Sequence, residues 1–217
     1  MQVRLRNINK MDPQKICEKI VEKAPWMLEY VPDQFKTQEM CDKALEESPY
    51  YMLGHVPDQF KTQEMCDKAV EFDLELFYDV PNRFKTKEMC EKAVEKEANM
   101  LGHVPDQFKT QEMCDKAVEE RPYKLYFVPD RFITQEMCVK AVEADPLVFK
   151  YVPDQFKTQE MCDKVVENKP SMLEDVPDQF KTQQMCDKAI EKDPRLLKYV
   201  PEQFITQEIY DEVIRSI

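Results

Sequence analysis

Glycine is nearly absent from this sequence, which has two glycines among 217 residues. Because glycine adopts positive φ more readily than other residues, this scarcity disfavours tight β-hairpins and glycine-rich phosphate-binding loops. Long apolar runs are missing too, since none approaches the roughly 18 residues of a membrane-spanning helix. No long apolar segment follows Met1–Asn7, so we expect neither a signal peptide nor a membrane association.

Positive charge is also in deficit, with 31 Lys and Arg against 43 Asp and Glu and a formal net charge of −12. A chain of this charge repels a phosphate backbone on average, so non-specific nucleic-acid binding is disfavoured. The composition is still that of a folded protein, because 42% of the residues are hydrophobic.

A 14-residue motif, VPDQFKTQEMCDKA at 31–44, dominates the chain. It recurs unchanged at 56–69 and 104–117, and with small changes at 80–93, 128–141, 152–165, 176–189 and 200–213. The cysteines, at 17, 41, 66, 90, 114, 138, 162 and 186, are 24 residues apart with one step of 25. A fixed period of this length is typical of repeat architectures.

The second half of the motif predicts an α-helix, here named helix A, over 37–47. Thr37 is suited to cap the first turn, and Met40, Cys41, Ala44 and Leu45 form one apolar stripe. We expect equivalent helices near 13–23, 62–72, 86–96, 110–120, 134–144, 158–168, 182–192 and 206–216.

A second, shorter helix, named helix B, is predicted between each A helix and the next Val-Pro pair. A proline usually opens it, and Pro32 and its equivalents end it, because the residue before proline avoids the helical region. The turn after Pro32 is expected to place Phe35 in the core. The apolar position of helix B is Leu28, Leu53, Phe77, Leu101, Leu125, Phe149, Leu173 and Leu197.

The two helices together predict an all-α fold, an α-solenoid of short helix–turn–helix repeats with a 24-residue period. Neither helix reaches the length that an isolated helix needs, so each repeat must pack on its neighbours. We expect one domain over 1–217, with an N-terminal cap and partial repeat at 1–24, central repeats at 25–199 and a C-terminal capping repeat at 200–217.

Units of the form Val-Pro-x-x-Phe-Lys-Thr-x-Glu-Met-Cys extend from about Cys17 to Val213. They resemble the tandem helical repeats that are catalogued only as a domain of unknown function, whose hosts include large DNA viruses of protists. The resemblance implies a helical repeat fold. It brings no activity, catalytic residue or cofactor that could be assigned to residues of this chain.

The Met-Cys pairs, such as Met40-Cys41, allow a soft-metal or thiol-binding hypothesis. Against it, the sequence has no Cys-x-x-Cys, a 24-residue interval is not a zinc spacing, and Tyr210 occupies the cysteine position of the last repeat. We therefore interpret the cysteines as small core residues and predict neither a metal site nor a cofactor. Eight cysteines without an export signal predict an intracellular, reducing compartment, the cytoplasm of the organism or of its host.

Catalytic residues are not predicted. The two histidines, His55 and His103, occupy the same repeat position, and carboxylates such as Asp33 and Glu39 recur as helix caps and solvated faces do. An acid–base or nucleophilic site needs an irregular constellation of residues. We therefore expect no enzyme.

Variation between repeats is concentrated at two positions of helix B, four residues apart. On an α-helical wheel the two positions share one face and point mainly outward. Rings and charges of both signs on a rigid frame are typical of binding surfaces. The first position holds Trp26, Tyr51, Glu75, Asn99, Tyr123, Leu147, Ser171 and Arg195, and the second holds Tyr30, His55, Asp79, His103, Phe127, Tyr151, Asp175 and Tyr199.

These sixteen residues predict a non-catalytic scaffold, monomeric by preference, that binds a peptide or a protein surface. Four alternatives remain open at this point. In the first, the rings pack between repeats and fit each junction. In the second, the protein reads single-stranded RNA by stacking, although Glu75, Asp79 and Asp175 count against this. In the third, it binds a soft metal or thiols through the Met-Cys pairs. In the fourth, the near-identical repeats are a recent duplication whose sequence is under little functional constraint.

Overall fold

The computed structural model describes residues 12–47 and 52–216. Within these ranges every regular element is a helix and there is no strand. Contacts divide the chain into two compact units, Met1–Ala93 and Val94–Ile217. Each unit is a stack of helix–turn–helix repeats with the 24-residue period, so the prediction of an all-α solenoid fold is confirmed. The predicted single domain with capping segments stays a prediction, and residues 1–11 of the N-terminal cap lie outside the described residues.

The A helices confirm the predicted positions to within one residue. Their first turns are capped as expected, since the Thr110 hydroxyl accepts a hydrogen bond from the backbone N–H of Met113 at 3.3 Å, and equivalent bonds recur along the chain. The A helices are Pro13–Lys23, Gln38–Glu47, Gln63–Phe72, Lys87–Lys96, Gln111–Glu120, Gln135–Ala144, Gln159–Asn168, Gln183–Lys192 and Gln207–Ser216.

The B helices are 3₁₀-helices rather than α-helices, with three residues per turn. They are usually six residues long and begin directly after the extended residue that ends helix A. Their bounds are Pro25–Tyr30, Leu53–His55, Leu74–Asp79, Ala98–His103, Pro122–Phe127, Pro146–Tyr151, Pro170–Asp175 and Pro194–Tyr199.

The core lies between the apolar stripes of the A helices and one edge of the B helices. In the A helix Gln111–Glu120, Met113, Cys114, Ala117 and Val118 are buried, as the stripe predicted. In the B helices the apolar position is fully buried except at the half-buried Leu197, and Phe77 and Phe149 are the largest such side chains. Burial of this surface is what stabilises helices too short to exist alone.

The phenylalanine of the turn is only half-buried, in contrast to the core position expected for Phe35 and its equivalents. Its backbone has a structural role instead, because its carbonyl oxygen accepts a hydrogen bond from the glutamine that opens the preceding A helix. The Nε2 atom of Gln111 lies 3.0 Å from the Phe132 oxygen. Equivalent bonds join Gln14 to Phe35, Gln38 to Phe60, Gln63 to Phe84, Gln135 to Phe156, Gln159 to Phe180 and Gln183 to Phe204.

The lysine of the motif is buried and joins its own turn to the next B helix. The Lys109 ammonium lies 2.8 Å from the Asp106 carboxylate and donates to the Phe127 carbonyl oxygen at 2.7 Å. A buried ammonium is tolerated only when it is paired in this way. The same arrangement recurs at Lys36, Lys61, Lys157 and Lys181, which donate to the carbonyls of His55, Asp79, Asp175 and Tyr199.

Three repeats depart from this arrangement, and in the last of them Ile205 replaces the lysine and is 48% exposed. Asn82 replaces the aspartate in one of them, and burial lowers the pKa of Lys85 there. Ile133 replaces the lysine in another and is as buried as the lysines, with 8% of its surface exposed. The position therefore accepts either a paired ammonium or an apolar side chain of similar length.

Candidate partner-binding surface

The 3₁₀ winding separates the two variable positions of helix B. At three residues per turn, residues four apart lie about 120° apart around the axis, whereas in an α-helix they lie about 40° apart. The expectation that the two positions share one outward face was therefore wrong. Residues three apart share an edge instead, and each B helix presents a core edge, an outward edge and an edge toward the neighbouring repeat.

The first variable position points outward, as expected. Trp26 and Tyr123 are 56% and 43% exposed, and Leu147 is 46% exposed. Glu75 and Arg195 are also exposed, while Asn99 and Ser171 are half-buried, and Tyr51 lies outside the described residues. None of the seven described members of this position is buried.

The second variable position is mostly half-buried against the preceding repeat. Tyr30 and His103 are exposed; the half-buried members are His55, Asp79, Phe127, Tyr151, Asp175 and Tyr199. The alternative of junction packing is therefore the better interpretation for this position. The two variable positions do not form a single ribbon.

A third variable position, three residues after the first, was missed. It holds Glu29, Gly54, Tyr78, Gly102, Tyr126, Lys150, Glu174 and Lys198. Because it shares the outward edge of the 3₁₀-helix with the first position, the exposed edge of the B helix Pro122–Phe127 consists of Tyr123 and Tyr126. Tyr126 is 64% exposed.

Residues at the third position contact the second position of the next repeat. The Tyr199 hydroxyl donates to Glu174 at 2.6 Å, and His55 Nε2 lies 3.5 Å from Glu29. The ring centroids of Tyr126 and Tyr151 lie 5.2 Å apart. The sequence contained a signal for these contacts, because the residues change in pairs 25 or 26 positions apart.

The two glycines of the chain belong to these pairs. A Cβ atom on Gly102 would lie 3.2 Å from the Phe127 ring, and one on Gly54 would lie 3.1 Å from the Asp79 carboxylate. Neither glycine has positive φ. They are therefore required by close approach of the neighbouring side chain rather than by backbone conformation.

An aromatic patch lies on the B helices Pro122–Phe127 and Pro146–Tyr151 of the C-terminal unit. We define the aromatic patch as Tyr123, Tyr126, Phe127, Leu147, Lys150 and Tyr151. Contacts hold its rings in place. The ring centroid of Tyr126 lies 5.0 Å from that of Phe127 and 5.2 Å from that of Tyr151, and the Tyr123 hydroxyl donates to Asn99 Oδ1 at 2.9 Å.

Lysine ammonium groups lie over the faces of these rings. Lys124 Nζ is 4.9 Å from the centroid of Tyr123 and 5.0 Å from that of Phe127, and Lys150 Nζ is 4.8 Å from that of Tyr151. Lys124 is itself buried and donates to the Asn99 carbonyl oxygen at 3.2 Å. The patch therefore combines exposed rings with positive charge.

The cysteines lie in the core, away from this surface. All of them except the half-buried Cys17 are buried, and burial raises the pKa of the Cys114 thiol to about 11. The part of the chain that the structure describes holds no cluster of three or more His, Cys, Asp or Glu side chains suited to a metal ion. The arrangement supports the interpretation of these cysteines as packing residues.

We expect the buried thiols to react slowly in the folded protein. With a thiol pKa of about 11, only about one thiol in a thousand is ionised at pH 8, and the thiolate is the reactive species. Titration of the native protein with Ellman's reagent should show one fast thiol, Cys17, and seven that react only after guanidinium is added. The Cys17→Ser variant should lose the fast phase, and several fast thiols in it would contradict the assignment.

Comparisons with protein-family models, with curated proteins and with solved structures find no match for this chain. The resemblance to repeats of unknown function therefore stays a prediction. None of the helices in residues 12–47 and 52–216 is long and apolar enough to cross a membrane.

Proposed function

We propose that this protein is a non-catalytic scaffold that binds a peptide or a protein surface along the outward edges of its B helices. The observation that carries the proposal is the exposure of Trp26, Tyr123, Tyr126 and Leu147 on those edges. Single exposed apolar residues are ordinary, but neighbouring rings on a preorganised frame are typical of the anchors of protein interfaces.

The rigidity of the frame supports this proposal. The lysine hydrogen bonds hold the last carbonyl of several B helices, including Pro122–Phe127, and the glutamine hydrogen bonds hold the turn that follows, so the exposed rings stand on an ordered backbone before a partner binds. The variation between repeats at the outward edge then gives each unit a distinct pattern of side chains. We propose a reducing compartment as the place of action, because the thiols are unpaired.

The other two functions have weaker support. Single-stranded RNA would use the same exposed rings, but a strand that crossed several repeats would meet Glu174 and Asp175 next to the aromatic patch. Soft-metal storage would use thiols that are buried one per repeat. Binding of a peptide needs neither a continuous positive track nor access to the core.

A matched pair of variants tests the proposal. A phage-displayed random peptide library is selected on the wild-type protein, and enriched peptides are synthesised and measured. We expect Tyr123→Ala with Tyr126→Ala to weaken their binding at least tenfold while the melting temperature falls less than in the control below, because both side chains are largely exposed.

The control is Phe127→Ala, which removes a ring that is half-buried against Gly102. We expect this variant to lower the melting temperature clearly, because its ring packs between repeats. A library that yields no peptide sensitive to the tyrosine pair would contradict the proposal, as would a large loss of stability in that pair.

A further inference from the structure

We infer that the aromatic patch binds a short acidic peptide segment with apolar side chains. This inference rests on the proposed function and adds the chemistry of the partner. It follows from the distribution of charge between the two helix types, from the lysines that lie over the rings, and from the position of Lys150.

The charge of the C-terminal unit is divided unequally between its helices. Its five A helices, from Gln111–Glu120 to Gln207–Ser216, contain 14 carboxylates and six Lys and Arg residues. Its five B helices, from Ala98–His103 to Pro194–Tyr199, contain two carboxylates and four Lys and Arg residues. In a chain of net charge −12, the B helices of this unit are therefore a local positive region, which attracts an acidic partner and orients it.

The two B helices of the aromatic patch contain no carboxylate at all. Tyrosine rings alone would suit a cation, because the face of an aromatic ring is negative. Here the protein's own ammonium groups lie over three of the four rings, since Lys124 lies over Tyr123 and Phe127 and Lys150 lies over Tyr151. A basic partner would meet like charges at the rings.

Lys150 is the cation that can reach a partner. It is exposed, and although its charge acts on the half-buried Asp175 carboxylate of the next repeat, the two groups form no close ion pair. Of the other exposed cations on the B helices of this unit, Arg195 forms two hydrogen bonds with Asp193. Lys198 lies over the Tyr199 ring as Lys150 lies over that of Tyr151, but only Lys150 belongs to the aromatic patch. A partner's carboxylate next to Lys150 would form a charge-assisted hydrogen bond.

Apolar side chains of the same segment would lie on Leu147 and on the outward rings of Tyr123 and Tyr126. The tyrosine hydroxyls at the rim remain able to pair with the peptide backbone, which is why tyrosine is common in binding surfaces. The next B helix, Pro170–Asp175, carries Glu174 and Asp175. These carboxylates limit the acidic footprint to two repeats, so the segment is short.

The probes are three pools of fluorescein-labelled random octapeptides, measured by fluorescence anisotropy on the full chain. One pool combines Asp and Glu with Leu, Phe and Ser; the second has Lys and Arg in place of the acids; the third contains only Leu, Phe and Ser. We expect the acidic pool to bind at least tenfold more tightly than the basic pool, and to weaken as salt is raised from about 50 to 300 mM.

Lys150→Glu should lower the affinity for the acidic pool at least tenfold and raise that for the basic pool. The control Lys192→Glu makes the same change of charge at the end of an A helix and should change either affinity less than twofold. Melting temperatures of both variants are expected to match the wild type, because both side chains are exposed.

Three results would overturn the inference. If the basic or the neutral pool binds the patch more tightly, the partner class is wrong while the proposed function stands. If a dT12 oligonucleotide binds more tightly than every pool, the surface takes nucleic acid. If no pool binds and the library selection also yields nothing, both the inference and the proposed function fail.

Discussion

Replacing Phe149 with alanine is expected to lower the free energy of unfolding by about 3–5 kcal/mol. Phe149 is fully buried at the apolar position of the B helix Pro146–Tyr151. Its removal costs the transfer free energy of the ring and leaves a cavity in the close-packed core. The ring also loses its contact with the buried Lys157 ammonium, which lies 4.9 Å from its centroid.

The chain itself supplies two controls for this prediction. Leu147→Ala removes an exposed side chain from the same B helix and should cost less than about 0.5 kcal/mol. Phe149→Leu installs the residue that most repeats have at this position, and should cost less than about 1.5 kcal/mol because it keeps most of the volume. Guanidinium unfolding followed by circular dichroism measures all three. Equal losses in Phe149→Ala and Leu147→Ala would contradict the assignment of Phe149 to the core edge and of Leu147 to the outward edge.

The second large effect is expected at Lys109. Lys109→Ala should lower the free energy of unfolding by about 2–3 kcal/mol. The Phe127 carbonyl oxygen loses a charged donor, and removal of the buried lysine side chain leaves a cavity. Lys109→Ile should cost less than Lys109→Ala, because Ile133 shows that this position packs an isoleucine of the same burial. The reverse change, Ile133→Lys, creates the missing arrangement next to Asp130 and should be neutral or stabilising.

The pH dependence of the stability lost in Lys109→Ala distinguishes two contributions, the ion pair with Asp106 and the hydrogen bond to the Phe127 carbonyl oxygen. The hydrogen bond from Lys109 lowers the pKa of Asp106. A lowered carboxyl pKa contributes stability that is present above the unfolded value, near pH 4, and is lost as the pH falls through the folded value. The difference in stability between the wild type and Lys109→Ala should therefore shrink in acid. A difference that stays constant below pH 4 would assign the effect to the carbonyl hydrogen bond and packing alone.

Each repeat pairs an α-helix with a 3₁₀-helix instead of a second α-helix, and this determines which side chains the proposed binding surface contains. In each repeat, a six-residue 3₁₀-helix has an outward edge of only two side chains. In the B helix Pro122–Phe127 these are Tyr123 and Tyr126. If this surface binds a partner as proposed, its specificity would arise from the sequence of edges within a unit, because each edge is too small to give a tight interaction alone. Exchange of one repeat's B helix should therefore change a partner's preference without disturbing the A helices.

The repeat period and the A helices could be predicted from the sequence alone. Thr110 caps its helix, and Met113, Cys114, Ala117 and Val118 form its buried stripe, because both features depend on residues within one or two turns of each other. The interpretation of the cysteines as packing residues depended on the same local pattern. The cap and the apolar stripe can be recognised in a single repeat, and their recurrence in the other repeats strengthens the prediction.

The surface of the B helices was decided only by the tertiary structure. Six residues are too few for periodicity to distinguish three residues per turn from 3.6, so the outward position of Tyr126 and the half-buried position of Phe127 were not predictable from one repeat. The winding is fixed by neighbours: Lys109 holds the carbonyl oxygen at the end of the B helix, and Gly102 makes room for the Phe127 ring. Those contacts join residues about 18 and 25 positions apart, and they exist only once one repeat has packed against the next.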